Sequence, residues 1–331
     1  MKNNVHENIM TSEAVISIVE EEPDQPLVIY RMAGSNSILV EYGEVTLDLN
    51  LRVRLHLLRE TIINMQIEGV LELTPGLRSM LIEYDGLKIE LNRLIEILKT
   101  LEKTLPNYDE VQIPSRKIKL PIAMHDKWTQ GSMKTYMETV RKEAPYLPDN
   151  VEFVAKANGL PNIDEVIEYF LSTDYLVIGL GDVYLGAPCA VPMDPRYRMV
   201  VPKYNPARTR TPEGSVGLGG AFLCIYPMES PGGYQLVGRT LPIWNTWQTN
   251  EAFSEHPWLL RYFDRITFER VSEEELEEIR EKVKNNEYEY EIEEGVFDVK
   301  EYNEFLNSVE EEAELFRERK EKAIKIATQG Y

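Results

Sequence analysis

Three short stretches of the chain carry residue types able to do chemistry. The first is Lys203-Tyr204-Asn205-Pro206-Ala207-Arg208-Thr209-Arg210, which sets three cations, a phenol and an amide in eight residues. The plainer reading is a solvated loop turned by its proline. The second stretch is Gly214-Ser215-Val216-Gly217-Leu218-Gly219-Gly220. It lacks the Lys-Ser/Thr of a P-loop, and Gly217-x-Gly219 has no third glycine at the dinucleotide spacing. Two readings stay open there: strand glycines that bulge or admit a close backbone, or backbone N–H groups lining a pocket for a carbonyl or carboxylate. The third is Asp182, a lone carboxylate between Gly181 and the apolar run VYLGAP. It could accept amide N–H bonds from a ligand or cap its own turn, with equal claim. Glu229-Ser230-Pro231-Gly232-Gly233-Tyr234-Gln235 reads as a tight turn before a strand.

Other chemistries find no support. Two cysteines, Cys189 and Cys224, occur without any CxxC, and four histidines are scattered. No metal site is expected, and the cysteines read as small buried hydrophobes in a reducing compartment. His56 in an apolar helix and His125 beside Asp126 at a strand end read as structural. Met133-Lys134 lacks the flanking residues of a biotinylation hairpin, and no local signature of a serine or cysteine nucleophile appears.

Net charge reinforces this. The 331 residues carry 56 acids and 36 bases, a balance of -20. A nucleic-acid binder needs a basic footprint, and an anionic membrane would repel this chain. The surplus sits at the two ends: residues 1–26 carry 6 acids and one Lys, and residues 272–331 carry 20 acids and 9 bases. The middle is close to balanced, so charge says little about its ligand. No apolar run is long enough to span a membrane, and the N-terminus lacks a signal-peptide pattern, so the sequence reads as cytoplasmic.

The elements that must position these residues fall into four segments. Residues 1–26 read as an acidic leader, with structure starting at Leu27. LVIYRM and SILVEYG read as strands around an Ala33–Asn36 turn. Residues 47–57 alternate Leu47, Leu49, Leu51, Val53, Leu55 and Leu57 as a strand would, yet Leu51, Leu55, Leu58, Ile62 and Met65 keep helical spacing for 15 residues. The length, and residues that favour helices, predict a helix over 48–67. Two strands (GVLELTPG, LRSMLIEYDG) and an amphipathic helix over 90–105 follow, giving a β-β-α-β-β-α layer to residue 115 with DEVQIPSRK as linker. Residues 116–250 begin with the strand KIKLPIAM and continue into helices over 129–142 and 162–171, with APYLPDN as the loop between them. Short hydrophobic runs among dense Gly and Pro then predict a β-barrel or sandwich, with YLVIGL, GSVGLGGAFLCIYP and YQLVGRT as its strongest strands. Residues 251–331 read as an acidic, mainly helical extension: the strand RITFERV, a capping box at Ser272–Glu275, two short extended runs, and one long helix from Tyr302 to about Ile326.

TPEGSVGLGGAFLCIYPMESPGGYQLVGRT (211–240) resembles the signature of the allophanate hydrolase subunit 1 family, which includes the kinase-inhibitor Kip proteins and one of the subunits of 5-oxoprolinase. PYLPDNVEFVAKANGL, the run from YLVIGLGDVYLG to LPIWN, and HPWLLRYFDRITFERV are more similar to the carboxyltransferase region of urea carboxylase. The resemblance covers about 27–326, including an insertion at 126–175 and the tail after 250. It implies an α+β chain: a ferredoxin-like N-terminal domain (27–115), then a cyclophilin-like β-barrel (116–250) with a helical insertion and a helical C-terminal tail. It also implies one subunit of a split enzyme, with biotin supplied in trans by a carrier protein and ATP used by a biotin carboxylase partner. A second carboxyltransferase half, related to allophanate hydrolase subunit 2, would complete the site.

On that resemblance the acceptor is urea or a urea- or guanidine-like amide. Lys203 and Arg208 would hold the carboxylate, and Asn205 with the backbone of Gly217, Gly219 and Gly220 would supply neutral donors. Asp182 would accept N–H bonds from the amide, and Tyr184 would orient it. Tyr204, Tyr226, Ser230 and Gln235 complete the expected substrate-binding set. The competing expectations are a subunit of an ATP-dependent amidohydrolase of the 5-oxoprolinase or allophanate hydrolase type, and a histidine-kinase-inhibitor-like binding module.

Overall fold

The structure, a computed structural model, describes residues 12–22, 25–181 and 186–329. The chain divides into two compact units, Met1–Val111 and Gln112–Tyr331.

The first unit is a five-stranded antiparallel sheet with two helices. Its strands are β1 (Val15–Val19), β2 (Val28–Met32), β3 (Ser37–Tyr42), β4 (Val70–Pro75) and β5 (Ser79–Tyr84), in the order β1-β2-β3-β5-β4. The ambiguous leucine run is helical: α1 spans Leu49–Met65, with Asp48 capping it through the Asn50 amide. Leu51, Leu55, Leu58 and Ile62 are buried on one face, so the 3.6-residue period prevails over the alternation. The amphipathic α2 (Leu91–Glu102) buries Leu94, Ile95 and Leu98 beside them. Arg54 of α1 is tied to Glu102 of α2, whose carboxylate also takes the Tyr42 hydroxyl. One expectation is corrected: ordered structure begins before Leu27, because β1 lies inside the acidic leader and pairs with β2. The alternating Ile16, Ile18 pattern was there to read, but the flanking acids hid it.

The second unit is built on β6, a 13-residue strand from Gln112 to Met124. The expected linker DEVQIPSRK therefore runs straight into sheet. Pro114 is tolerated within it, opposite Val296 in the ladder. Further strands are β7 (Tyr175–Leu180), β8 (Pro188–Pro192), β9 (Arg208–Thr211), β10 (Ser215–Gly219), β11 (Phe222–Ile225), β12 (Ser230–Gly232), β13 (Gln235–Arg239), β14 (Arg265–Arg270) and β15 (Glu291–Asp298). Eight of these form one sheet in the order β13-β10-β11-β8-β7-β14-β6-β15, and β13 also pairs with β6, closing the ring of strands; β9 and β12 form a separate pair. Three helices lie between β6 and β7: α3 (Lys127–Thr139), α4 (Asn150–Asn158) and α5 (Ile163–Leu171). The sequence reading had no helix at α4, although Asp149 caps its start and Gly159, at φ +65°, closes its end.

The C-terminal segment is built into this unit. β14 runs parallel to β6 and antiparallel to β7 inside the sheet. The two expected extended runs fuse into β15, whose Glu291, Glu293 and Glu294 stand opposite Lys119, Lys117 and Arg116. The capping box forms as expected and opens α6 (Glu273–Lys284). The expected single long helix breaks at Val309 into α7 (Val299–Ser308) and α8 (Glu310–Ala327). Phe316 of α8 is buried in the main core with Leu276, Phe268 and Ile266.

Candidate functional site

Strand alternation gives β10, β11 and β13 two different faces. Val216, Leu218, Leu223, Ile225 and Val237 belong to the main core. Cys224, Tyr226, Tyr234 and Leu236 form a smaller cluster with Ala187. Gly217 and Gly219 face Tyr234, and this explains their spacing: a Cβ on Gly217 would lie 2.8 Å from Tyr234 Cβ, and one on Gly219 2.5 Å from its ring. Two glycines two apart in a strand leave a bare lane, and the Tyr234 ring occupies it. A Cβ on Gly232 would likewise meet the Tyr226 hydroxyl at 2.3 Å.

The 201–208 segment lies along this platform. Val201 and Gly220 exchange backbone hydrogen bonds at 3.0 and 2.8 Å, so the Gly220 N–H is taken, and β10 is paired to β11 on one side and β13 on the other. The Tyr204 N–H donates to the Gly233 carbonyl at 2.6 Å. Lys203 is exposed, with Nζ 4.4 Å from the Tyr234 ring centroid. Asn205 is also exposed, and its carbonyl accepts from Arg141 at 2.8 Å and from the Tyr146 hydroxyl at 3.0 Å.

Arg208 is the unusual member. It is 1% exposed, yet its partners are all neutral: the Tyr234 carbonyl at 2.6 Å, the Thr211 hydroxyl at 3.3 Å, the Tyr226 hydroxyl at 3.4 Å, and the face of Tyr204 at 4.4 Å. No carboxylate among the described residues pairs with it. Burying a cation without a counter-ion costs several kcal/mol, and the long hydroxyl contacts recover little of that.

Tyr204 is held from its other end. Its ring lies against Tyr146 and Tyr136 (centroids 4.2 and 4.8 Å), and its hydroxyl meets the side-chain amide of Asn150 at 2.7–2.9 Å. Burial pushes the Tyr204 phenol above its ordinary value, so it stays protonated and can donate. Gln235 donates to the Pro202 carbonyl at 2.8 Å. Its Oε1, and the buried hydroxyls of Ser230 and Ser215, make no hydrogen bond among the described residues.

The structure thus gathers Lys203, Tyr204, Arg208, Gly217, Gly219 and Tyr226 around Tyr234. Gly220 and Gln235 grip the 201–204 segment from behind, and Ser230 stands opposite Thr211 in the β9–β12 pair. Asp182 and Tyr184 lie outside the described residues. Sequence reasoning passed over Tyr234 and Asn150. The paired glycines were the available signal for Tyr234; nothing local marks Asn150 as part of the site, because Tyr204 and Leu236, which it holds there, are 54 and 86 residues away. Two open clefts, about 520 Å³ beside Asn250 and Tyr288 and about 380 Å³ beside Tyr169 and Arg196, include none of the predicted site residues. Among the described residues no group of three or more His, Cys, Asp or Glu is placed to hold a metal, and no helix is long and apolar enough to cross a membrane.

Comparison with known proteins gives this platform a context. The chain is 47% identical over 282 residues to the urea amidolyase of Lachancea kluyveri, covering 85% of this chain and 15% of that protein. It superposes on the crystal structure of Kluyveromyces lactis urea carboxylase with a TM-score of 0.86 and 39% identity, over 96% of this chain and 29% of that one. A more distant similarity, 27% over 251 residues, links it to a 5-oxoprolinase subunit of Bacillus subtilis, covering 75% of this chain and 95% of that relative. The chain therefore spans less than a third of the length of the urea amidolyase and urea carboxylase it matches. The family model for the carboxyltransferase domain, subdomain C and D, matches residues 28–254, and the chain belongs to that family.

Proposed function

We propose that this chain is the part of a biotin-dependent carboxyltransferase that moves a carboxyl group from carboxybiotin to urea or a urea- or guanidine-like amide. The observation that carries the reading is Arg208, a buried guanidinium with no carboxylate partner among the described residues. Similarity to urea amidolyase and urea carboxylase along nearly the whole chain supports it. Carboxybiotin, when bound, would bring an activated, negatively charged carboxyl group. The residues present suit such a group: a cation to offset its charge, flat aromatic faces beside it, and an exposed ammonium at the rim.

In this reading Lys203 draws the anion in, and Arg208, fixed by the Tyr234 carbonyl and the Tyr204 ring, holds it with no reorganisation. Tyr226 keeps a neutral donor near the developing charge, Tyr204 lays its ring face against Arg208, and Asn205 lines the approach. Gly217 and Gly219 act by admitting Tyr234, whose ring helps exclude water. Asp182 accepts N–H bonds from the amide acceptor, and Tyr184 orients it. The partners of this reading are a biotin carrier, an ATP-using biotin carboxylase and a second carboxyltransferase half.

A second reading, a subunit of an ATP-dependent amidohydrolase, is favoured by the coverage of 95% of the Bacillus 5-oxoprolinase relative. Purifying the chain from its own host and probing the complex with streptavidin separates the two. Carboxyl transfer requires a biotinylated companion and bicarbonate- and urea-dependent ATP use. A companion without biotin, with ATP use that ignores bicarbonate, supports the amidohydrolase. Asp182→Ala is expected to abolish urea-dependent turnover while leaving the melting temperature unchanged.

A further inference from the structure

His125 closes a ring of contacts around the strand that leads out of the platform. Its backbone N–H donates to the Val237 carbonyl at 2.9 Å, and its Nε2 lies 2.6 Å from Asp149 Oδ2. The other oxygen of Asp149 caps α4, accepting the amides of Val151 and Glu152 at 2.8 and 3.1 Å. Asn150, next along the chain, accepts the Leu236 N–H at 2.9 Å and meets the Tyr204 hydroxyl. One residue thus grips Val237 directly and, through Asp149 and Asn150, grips Leu236 and Tyr204. His125 also sits at φ +55°, a left-handed backbone that few side chains adopt without compensation.

We propose that His125 is a positioning residue for this site: its charge state sets the hold of Asp149 on the start of α4, and through Asn150 the placement of Tyr204 and β13. The proposal rests on the carboxyltransferase reading only for its catalytic consequence. The ring is 29% exposed, so protons reach it. The hydrogen bond to Asp149 raises the His125 value above its usual range, with Asp126 adding to it. Burial pushes Asp149 upward, but His125 and the α4 amides outweigh this and hold it below its usual value. Among the described residues the charges acting on the imidazole are those of Asp149 and Asp126; Gln130 of α3 donates to the His125 carbonyl, and Val237 of β13 accepts from its backbone N–H. The pair is therefore intact from above the ordinary aspartate value to below the ordinary histidine value, roughly pH 4 to 6.5. The His125 contribution is lost as pH rises through its raised value, and that of Asp149 as pH falls through its lowered one.

The test uses the full chain labelled with 15N-leucine and 13C-histidine, titrated between mildly acidic and mildly alkaline pH. The Leu236 amide, assigned by Leu236→Met, is expected to move with the midpoint of the His125 ring and to lose that movement in His125→Gln, whose amide can still donate to Asp149. A Leu236 amide that stays still while His125 titrates overturns the proposal, with or without the variant. In the assembled enzyme, the same inflection is expected in kcat and is expected to vanish in His125→Gln. Coupling in the amide without any carboxyl transfer would defeat the functional reading and leave the coupling standing. Transfer whose pH profile is identical in wild type and His125→Gln would overturn the positioning role of His125 and leave the functional reading standing.

Discussion

Arg116 and Arg208 are both buried arginines of the same unit, and they are handled in opposite ways. Arg116 forks Asp264 through Nε at 3.0 Å and Nη2 at 2.6 Å, and also donates to the Leu259 carbonyl. Its charge is cancelled in place, and it fastens β6 to the chain leading into β14. Arg208 is buried more deeply still and has only neutral partners. The first arrangement is complete as it stands. The second carries a standing positive charge beneath an aromatic platform, and becomes complete when an anion arrives. A buried charge left uncompensated is a cost that stability gives no reason to keep, and this contrast points to function more directly than the identity of either residue.

The sharpest way to break the contrast is to remove each cation. Arg116→Met strands Asp264 in the core and is expected to cost about 3–5 kcal/mol in denaturant unfolding, with turnover per folded molecule unchanged. Arg208→Met should do the reverse. It is expected to lower carboxyl transfer by about 10²–10³-fold, equivalent to about 2.7–4 kcal/mol, while stability holds or rises. A large loss of stability in Arg208→Met would make the two arginines alike and remove the argument.

Two smaller changes sharpen the comparison. Gly219→Ala drives a methyl into the Tyr234 ring, and an overpacking cost of about 1–3 kcal/mol is expected by thermal or denaturant melts. Transfer should fall with it, because Tyr234 also holds Arg208. Lys203→Ala, on an exposed side chain, should change stability by less than about 0.5 kcal/mol. It should raise KM at low salt, with the difference fading as salt screens the charge.

These contrasts also show what a sequence can disclose. The Lys203–Arg208 run and the Gly217-x-Gly219 pair were visible as candidates because their chemistry is local. The meaning of each was not. Whether Arg208 has a counter-ion depends on what Tyr204, Tyr226 and Tyr234 bring around it, and whether the glycines bind a ligand or a ring depends on Tyr234, fifteen residues further on. Helix α1 was legible because its apolar period outlasted the strand-like alternation. Strands β1 and β15 and the buried face of α8 were less so, since acidic composition made the ends read as solvated arms. Pairing with β2, β6 and α4 overrode composition, and the partners of β15 and α8 lie far away in sequence.

The most direct test of the central claim is urea-dependent turnover by the complex purified around this chain, measured with labelled bicarbonate for the wild type and for Arg208→Met side by side. The account predicts label transfer that needs urea, ATP and the biotinylated partner, and that falls by two or three orders of magnitude in the variant at an unchanged melting temperature. Full transfer by Arg208→Met, or label transfer independent of any biotinylated protein, would contradict it.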